Sequence, residues 1–160
     1  MELHKTKNDL SLEARRKVVD ILNGRLADVS DLKSQAKQAH WNVKGIHFFQ
    51  LHELFDQVAT AAEEHTDLIA ERITALGGTA MGTVRMAAKN SSLSEYPLEI
   101  TDGTAHVDAL STALADFGKN IRGDIDRTNE IGDADTADLF TEISREVDKL
   151  LWFVEAHVQA

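Results

Sequence analysis

Between residues 46 and 76 the chain contains no proline and no internal glycine, and Gly77-Gly78 follow at once. A run of that length with a glycine stop predicts one long helix. His52, Asp56, Asp67 and Glu71 all lie on it. At about 100° per residue they fall on one face roughly 100° wide. A plain amphipathic surface helix does not line up nitrogen and oxygen ligands in this way. His40, near the end of the preceding segment, adds a further candidate ligand.

The spacing narrows how these residues can act. His52 and Asp56 are one turn apart, as are Asp67 and Glu71, so each pair can address one ion. The centres of the two pairs lie about 22 Å apart at 1.5 Å rise per residue, too far to share an ion along one straight helix. An antiparallel copy of the helix, related by a two-fold axis near Ala61-Ala62, brings 52/56 of one subunit to 67/71 of the other. The result is a pair of identical mixed sites, as an isologous contact requires. Ala59, Ala61 and Ala62 are small enough for close approach. The spacing therefore predicts a metal site shared between subunits.

Two familiar metal-binding helices can be set aside. The His52-Glu53-Leu54-Phe55-Asp56 run has an aspartate where a zinc protease needs its second histidine. A di-iron centre inside one bundle needs Glu-x-x-His, and none of the histidines at 4, 40, 47, 52, 65, 106 and 157 has a glutamate three residues before it.

The rest of the chain is read from its periodicity. Residues 1–10 are polar and aperiodic, an expected short N-terminal tail ahead of one domain over 11–160. Val18, Leu22, Leu26, Val29, Leu32 and Ala36 recur at the helical period, with Arg25 facing away. They predict a first helix over about 11–43, capped by Ser11 or Asn8, that Gly45 breaks. Past Gly78 the period is lost as far as Ile100, and 84–89 is expected as a short helix within a long crossover. A third long helix, capped by Asp102 or Thr104, carries Leu110, Leu114, Phe117, Ile121 and Ile125 and ends at Gly132. The fourth is expected to start at Asp135 or Thr136 and carries Phe140, Ile143, Val147, Leu150, Val154 and Val158. Four long helices with one crossover make an all-α four-helix bundle.

Bulk properties remove several function classes. The 160 residues suit one domain, and the absence of cysteine rules out a disulfide framework or a thiolate metal site. No apolar run reaches membrane length and no signal pattern opens the chain, so the expected location is the cytoplasm, including its nucleoid. A formal charge of −10 argues against nucleic acid on the body of the subunit and is compatible with attracting cations.

Several blocks together resemble Dps, the DNA-binding protein from starved cells, a miniferritin branch of the ferritin superfamily. They are Lys37-Gln-Ala-His-Trp-Asn42, Leu51-His-Glu-Leu-Phe-Asp56, Asp67-Leu-Ile-Ala-Glu-Arg72 and Leu76-Gly-Gly78, then Tyr96-Pro-Leu, Asp135-Thr-Ala-Asp138 and the run from Ser144 to Phe153. The resemblance covers about residues 7–158. It implies a ferritin-like bundle assembled into a hollow dodecamer that oxidises Fe(II) at dimer interfaces, preferentially with hydrogen peroxide, and stores ferric mineral. It also implies that His40, His52 and Asp56 ligate iron together with Asp67 and Glu71 of the partner chain. Zinc and other divalent ions are alternative occupants. Trp41 and Trp152 are placed near that centre, where a ring can take up an oxidising equivalent. Glu130, Asp133 and Asp138 are placed at an acidic three-fold pore, and Glu53, Glu63 and Glu64 at the inner surface.

Each of these residues also has an ordinary reading. Helix carboxylates are usually solvated, tryptophans usually pack, and acids at a helix start cap it or favour its positive end. His65, two positions before Asp67, is expected to be structural or to support a ligand. DNA binding is expected to be weak or absent, because the N-terminal segment offers only Lys5 and Lys7, opposed by Glu2 and Asp9. A nucleoid structural protein and a bundle holding a structural zinc are the competing functions.

Overall fold

The computed structural model describes residues 2–159, which form five helices. They are α1 (Leu12–Asn42), α2 (Phe48–Ala75), α3 (Val84–Asn90), α4 (Gly103–Ile131) and α5 (Ala134–Glu155). α1 pairs with α2 and α4 with α5, and the two hairpins close on one another through α1–α4 and α2–α5 contacts. α3 lies on α1 within the crossover. The Lys44 N–H donates to the Thr101 carbonyl at 3.0 Å, so α4 starts beside the α1–α2 turn. The crossover therefore carries the chain back along the length of α2, whose 28 residues span about 42 Å. Phe55, Phe117, Phe140, Leu22, Leu26 and Ile73 are fully buried where the hairpins meet.

Local chemistry sets the boundaries. Ser11 caps α1 by accepting from the Ala14 N–H at 3.1 Å, and Asp102 caps α4 by accepting from Thr104 N–H at 3.0 Å. Each such cap contributes about 1 kcal/mol. α2 ends in paired hydrogen bonds, Gly78 N–H to the Ile73 carbonyl at 2.8 Å and Gly77 N–H to Thr74 at 2.9 Å, with Gly77 at φ 82°. Gly78 is required by space as well, since a Cβ there would stand 2.7 Å from Val19.

Two expectations are corrected. α5 begins at Ala134 with Asp133 as its cap, because Thr136 is buried and donates its N–H to Asp133 Oδ1 at 3.0 Å. Arg25 does not face away: its side chain is 16% exposed, and its guanidinium reaches Asp28 at 2.8 Å and Asp124 at 3.2 Å. Residues 3–10, without helix, run against the bundle. The His4 N–H donates to the Gly77 carbonyl at 2.8 Å, Leu3 and Leu10 pack on the core, and Arg15 ties Leu10 and Leu76 through their carbonyls.

Polar anchors hold the crossover. Asp28, fully buried, accepts from Ser92 N–H at 2.6 Å and lies beside Arg25. The Tyr96 hydroxyl lies 2.6 Å from His106 Nδ1, with the two residues 7% and 1% exposed. Desolvation lowers the His106 pKa below its usual 6.5, opposed by the Asn42 and Ile100 carbonyls and by Asp102. The unfolded chain then binds this proton more readily, so stability is expected to fall as pH drops from 6.5 towards the lowered folded value. A His106→Gln chain should lose that slope in chemical denaturation series run across the same window.

Candidate metal centre

The C-terminal turn of α1 and the first turns of α2 face each other. The end of α1 leaves carbonyls without helical partners, and His40 supplies one of them: its carbonyl accepts from His52 Nδ1 at 2.8 Å. His40 Nδ1 in turn reaches the His52 carbonyl at 2.7 Å. A carbonyl only accepts, so each imidazole carries a proton on Nδ1, and the neutral form of each ring presents Nε2 as a lone pair. The rings stack with centroids 3.7 Å apart and planes 20° from parallel. Two metal-competent nitrogens are thus oriented before any ion arrives, each by the backbone of the other helix.

Asp56, one turn beyond His52, is half-exposed and accepts from Lys37 Nζ at 2.6 Å. That hydrogen bond lowers its pKa, against a desolvation effect and with help from the charge of Lys37 and the nearby histidines. The carboxylate is therefore ready to bind a cation, and the ammonium occupies it in the meantime. Lys37 also stands 5.7 Å over the Trp41 ring. This role of Lys37 is absent from the sequence reading, although its position one turn before His40 on α1 was the available signal.

Asp67 and Glu71 lie further along α2, both exposed. Among the described residues no three histidine, aspartate or glutamate side chains converge into a metal-holding group within one chain. His40 and His52 come together with Asp56 a turn away, and 67/71 do not join them. Trp41 and Trp152 are 66% and 60% exposed, the latter against Phe153 at 5.0 Å. Glu53 and Glu64 line, with Asp56 and Glu146, a shallow groove of about 300 Å³, whereas Glu63 pairs with Lys33 at 2.8 Å. His65 is buried and meets Glu146 at 2.8 Å between α2 and α5.

At the α4–α5 corner the expectation for Asp133 is corrected. It is 2% exposed, and its oxygens are taken by Arg72 at 2.7 Å, the Thr136 N–H at 3.0 Å and the Thr136 hydroxyl at 2.6 Å. A carboxylate so occupied caps a helix and is not free to line a pore. Glu130 and Asp138 remain exposed there.

The fold is that of a ferritin-like protein, and the Ferritin-like domain model matches residues 19–160. A DNA protection during starvation protein of Agrobacterium fabrum is 48% identical over 159 residues, covering 99% of this chain and 98% of that one. Among solved structures, the tetragonal form of Mycobacterium smegmatis Dps superposes with a TM-score of 0.94 at 30% identity, covering 99% of this chain and 96% of its own. Dps from Microbacterium arborescens in its high iron form gives 0.86 at 31% identity, with 92% and 96% covered. The chain belongs to the Dps family.

Proposed function

We propose that this chain is the subunit of a ferroxidase and iron store. Fe(II) is the substrate, bound by His40, His52 and Asp56 of one subunit with Asp67 and Glu71 of its partner. The observation that carries the reading is the reciprocal His40–His52 hydrogen bonding, which engages both Nδ1 atoms and leaves both Nε2 atoms of the stacked rings out of those bonds. A structural core histidine turns its nitrogens to partners; these keep one each for an ion. Imidazole and carboxylate together bind the ferrous ion and tolerate the harder ferric product.

Peroxide is the preferred oxidant in this reading. Two ferrous ions and two protons reduce one peroxide to two waters, so neither electron is delivered alone and hydroxyl radical is avoided. The residues orient the two ions, and the ferric product passes inward. Its relatives support storage: one of the matched structures is a Dps in a high iron form. The assembly is a dodecamer with sites at its two-fold interfaces. Among the described residues no helix is long and apolar enough to cross a membrane.

The test is anaerobic addition of Fe(II), then peroxide, followed by size exclusion with iron and protein detected together. Twelve chains of 17.7 kDa give about 212 kDa. Iron is expected to co-elute there, well above the roughly two ions per chain that a paired site accounts for. Protein at dimer size with the iron precipitated would sink the storage reading.

Lys37 competes with the substrate for Asp56. Replacing it with methionine is expected to tighten Co(II) binding, measured by calorimetry, about two- to five-fold, the worth of a half-exposed ion pair. Unchanged affinity would mean that Lys37 does not occupy the ion's position. DNA is not a strong ligand in this reading, because residues 3–10 dock on the bundle and the charge is −10. A gel shift near physiological salt is expected to show no retarded DNA.

A further inference from the structure

α2 carries its two candidate pairs towards opposite ends, and side chains that reach backbone tie each end to a neighbour. At the near end His40 and His52 each engage the other's carbonyl. The far end is built differently. Glu71 stands four residues before Ala75, the last residue of the helix, where helices fray. Asp67 and Glu71 are both exposed on their own subunit, so the helix beneath them sets where they stand.

On α1, Arg15, Val19 and Asn23 recur at four-residue spacing and form one stripe. Each touches the segment that leaves α2. Arg15 Nη1 donates to the Leu76 carbonyl at 3.0 Å, and its Nε donates to the Leu10 carbonyl at 3.3 Å. Val19 lies against Gly78 and leaves no room there for a Cβ. The Asn23 amide donates to the Thr79 carbonyl at 3.2 Å and accepts from the Met81 N–H at 2.9 Å. The His4 N–H takes the Gly77 carbonyl at 2.8 Å. Arg72 ties the start of the last turn to Asp133 at 2.7 Å, and the end of the helix is left to Arg15.

Arg15 is the costly member of this stripe. It is 9% exposed, and its partners are two carbonyls rather than a carboxylate. A buried guanidinium without a counter-ion is unfavourable unless something dipolar compensates it. The negative end of the α2 dipole does so here, and it binds the cation to the helix terminus. An apolar side chain would fill the same space without that cost, and without gripping the end of α2.

We propose that Arg15 is a positioning residue for the shared iron centre. Its grip on the end of α2 holds Glu71, and Asp67 behind it, where an ion on His40, His52 and Asp56 of the partner subunit needs them. The proposal rests on the ferroxidase reading and its shared site. The remaining ligands belong to another chain, so only the rigidity of α2 keeps these two carboxylates in register with them. Loss of a contact that orients a ligand costs about 10- to 100-fold in metal affinity.

The test separates the two roles that one chain plays. Chains carrying Asp56→Ala, co-expressed with chains carrying Glu71→Ala, leave one kind of complete site. Its 67/71 pair comes from the first chain and its 52/56 pair from the second. Arg15→Gln is placed on one chain or the other, and Fe(II) oxidation by peroxide is followed from low to saturating iron. On the Asp56→Ala chain it is expected to raise the apparent KM for Fe(II) about ten-fold and leave kcat within about two-fold. On the Glu71→Ala chain, whose own 67/71 pair is already broken, it should change neither. Arg15→Lys keeps the charge but reaches only one of the two carbonyls, and should show a smaller loss with the same chain dependence and less risk to the fold. Equal losses from both placements in both variants would reduce Arg15 to a stabiliser of the fold, and no loss from either would show that it does not hold Glu71; each overturns the proposal. If the parent pair recovers no oxidation, the shared-site reading falls and this proposal with it.

Discussion

Chains carrying Asp56→Ala and chains carrying Glu71→Ala are each expected to lose Fe(II) oxidation by on the order of 100-fold. Co-expressed, they should recover part of it. In a mixed dimer one shared site collects both defects, while the other combines an intact 52/56 pair with an intact 67/71 pair. Random pairing leaves roughly a quarter of all sites complete, so about a quarter of the wild-type initial rate should return. The assay is ferric absorbance after peroxide addition, with far-ultraviolet circular dichroism confirming that each variant keeps its helices. A co-expressed rate no higher than that of the separate variants would show that the two pairs do not meet between subunits. The same experiment excludes a structural zinc, which would leave no oxidation to recover.

The second large effect is on stability. Asp28→Ala removes a fully buried carboxylate from Arg25, Ser92 and Asn120. It leaves the Arg25 guanidinium beside Asp124 alone, whose own pKa is already raised by desolvation against the pull of Arg25 and Arg127. Stripping one partner from a buried charge cluster costs about 3–5 kcal/mol. For a chain of this size that lowers Tm by on the order of 10 °C. Lys33→Ala, which breaks an exposed pair with Glu63, should cost under about 1 kcal/mol. Differential scanning calorimetry of both variants separates the cases. Equal, small shifts would mean that the Asp28 cluster does not hold the crossover to α1 and α4.

Much of the architecture was legible because it is written locally. The hydrophobic period of 18, 22, 26, 29 and 32 identifies α1, and the same period identifies α4 and α5. Ser11, Asp102, Gly77 and Gly132 mark helix ends through chemistry that each residue carries wherever it stands. The stripe of 52, 56, 67 and 71 follows from helical geometry alone, as does the expectation that one straight helix cannot bring its two ends to one ion. That part of the reading needed only the rise per residue and the angle per residue.

The choice of polar partners needed the assembled bundle. Arg25 looked solvated because it falls off the apolar stripe of its helix; Asp124, on α4, becomes its neighbour only when the hairpins pack. Asp133 looked like an open acid until Arg72 and Thr136 closed over it. Lys37 finds Asp56, and Tyr96 finds His106, across turns that periodicity cannot register. The mutual hold of His40 and His52 depends on two helix ends meeting within hydrogen-bond distance, which neither segment specifies by itself. Helices, caps and the shared face of 52, 56, 67 and 71 are set by interactions over a few residues, so the sequence alone determined them. Which charge is buried, which imidazole nitrogen stays bare and which acid is spent on structure depend on contacts between distant segments, and only the tertiary structure decided them.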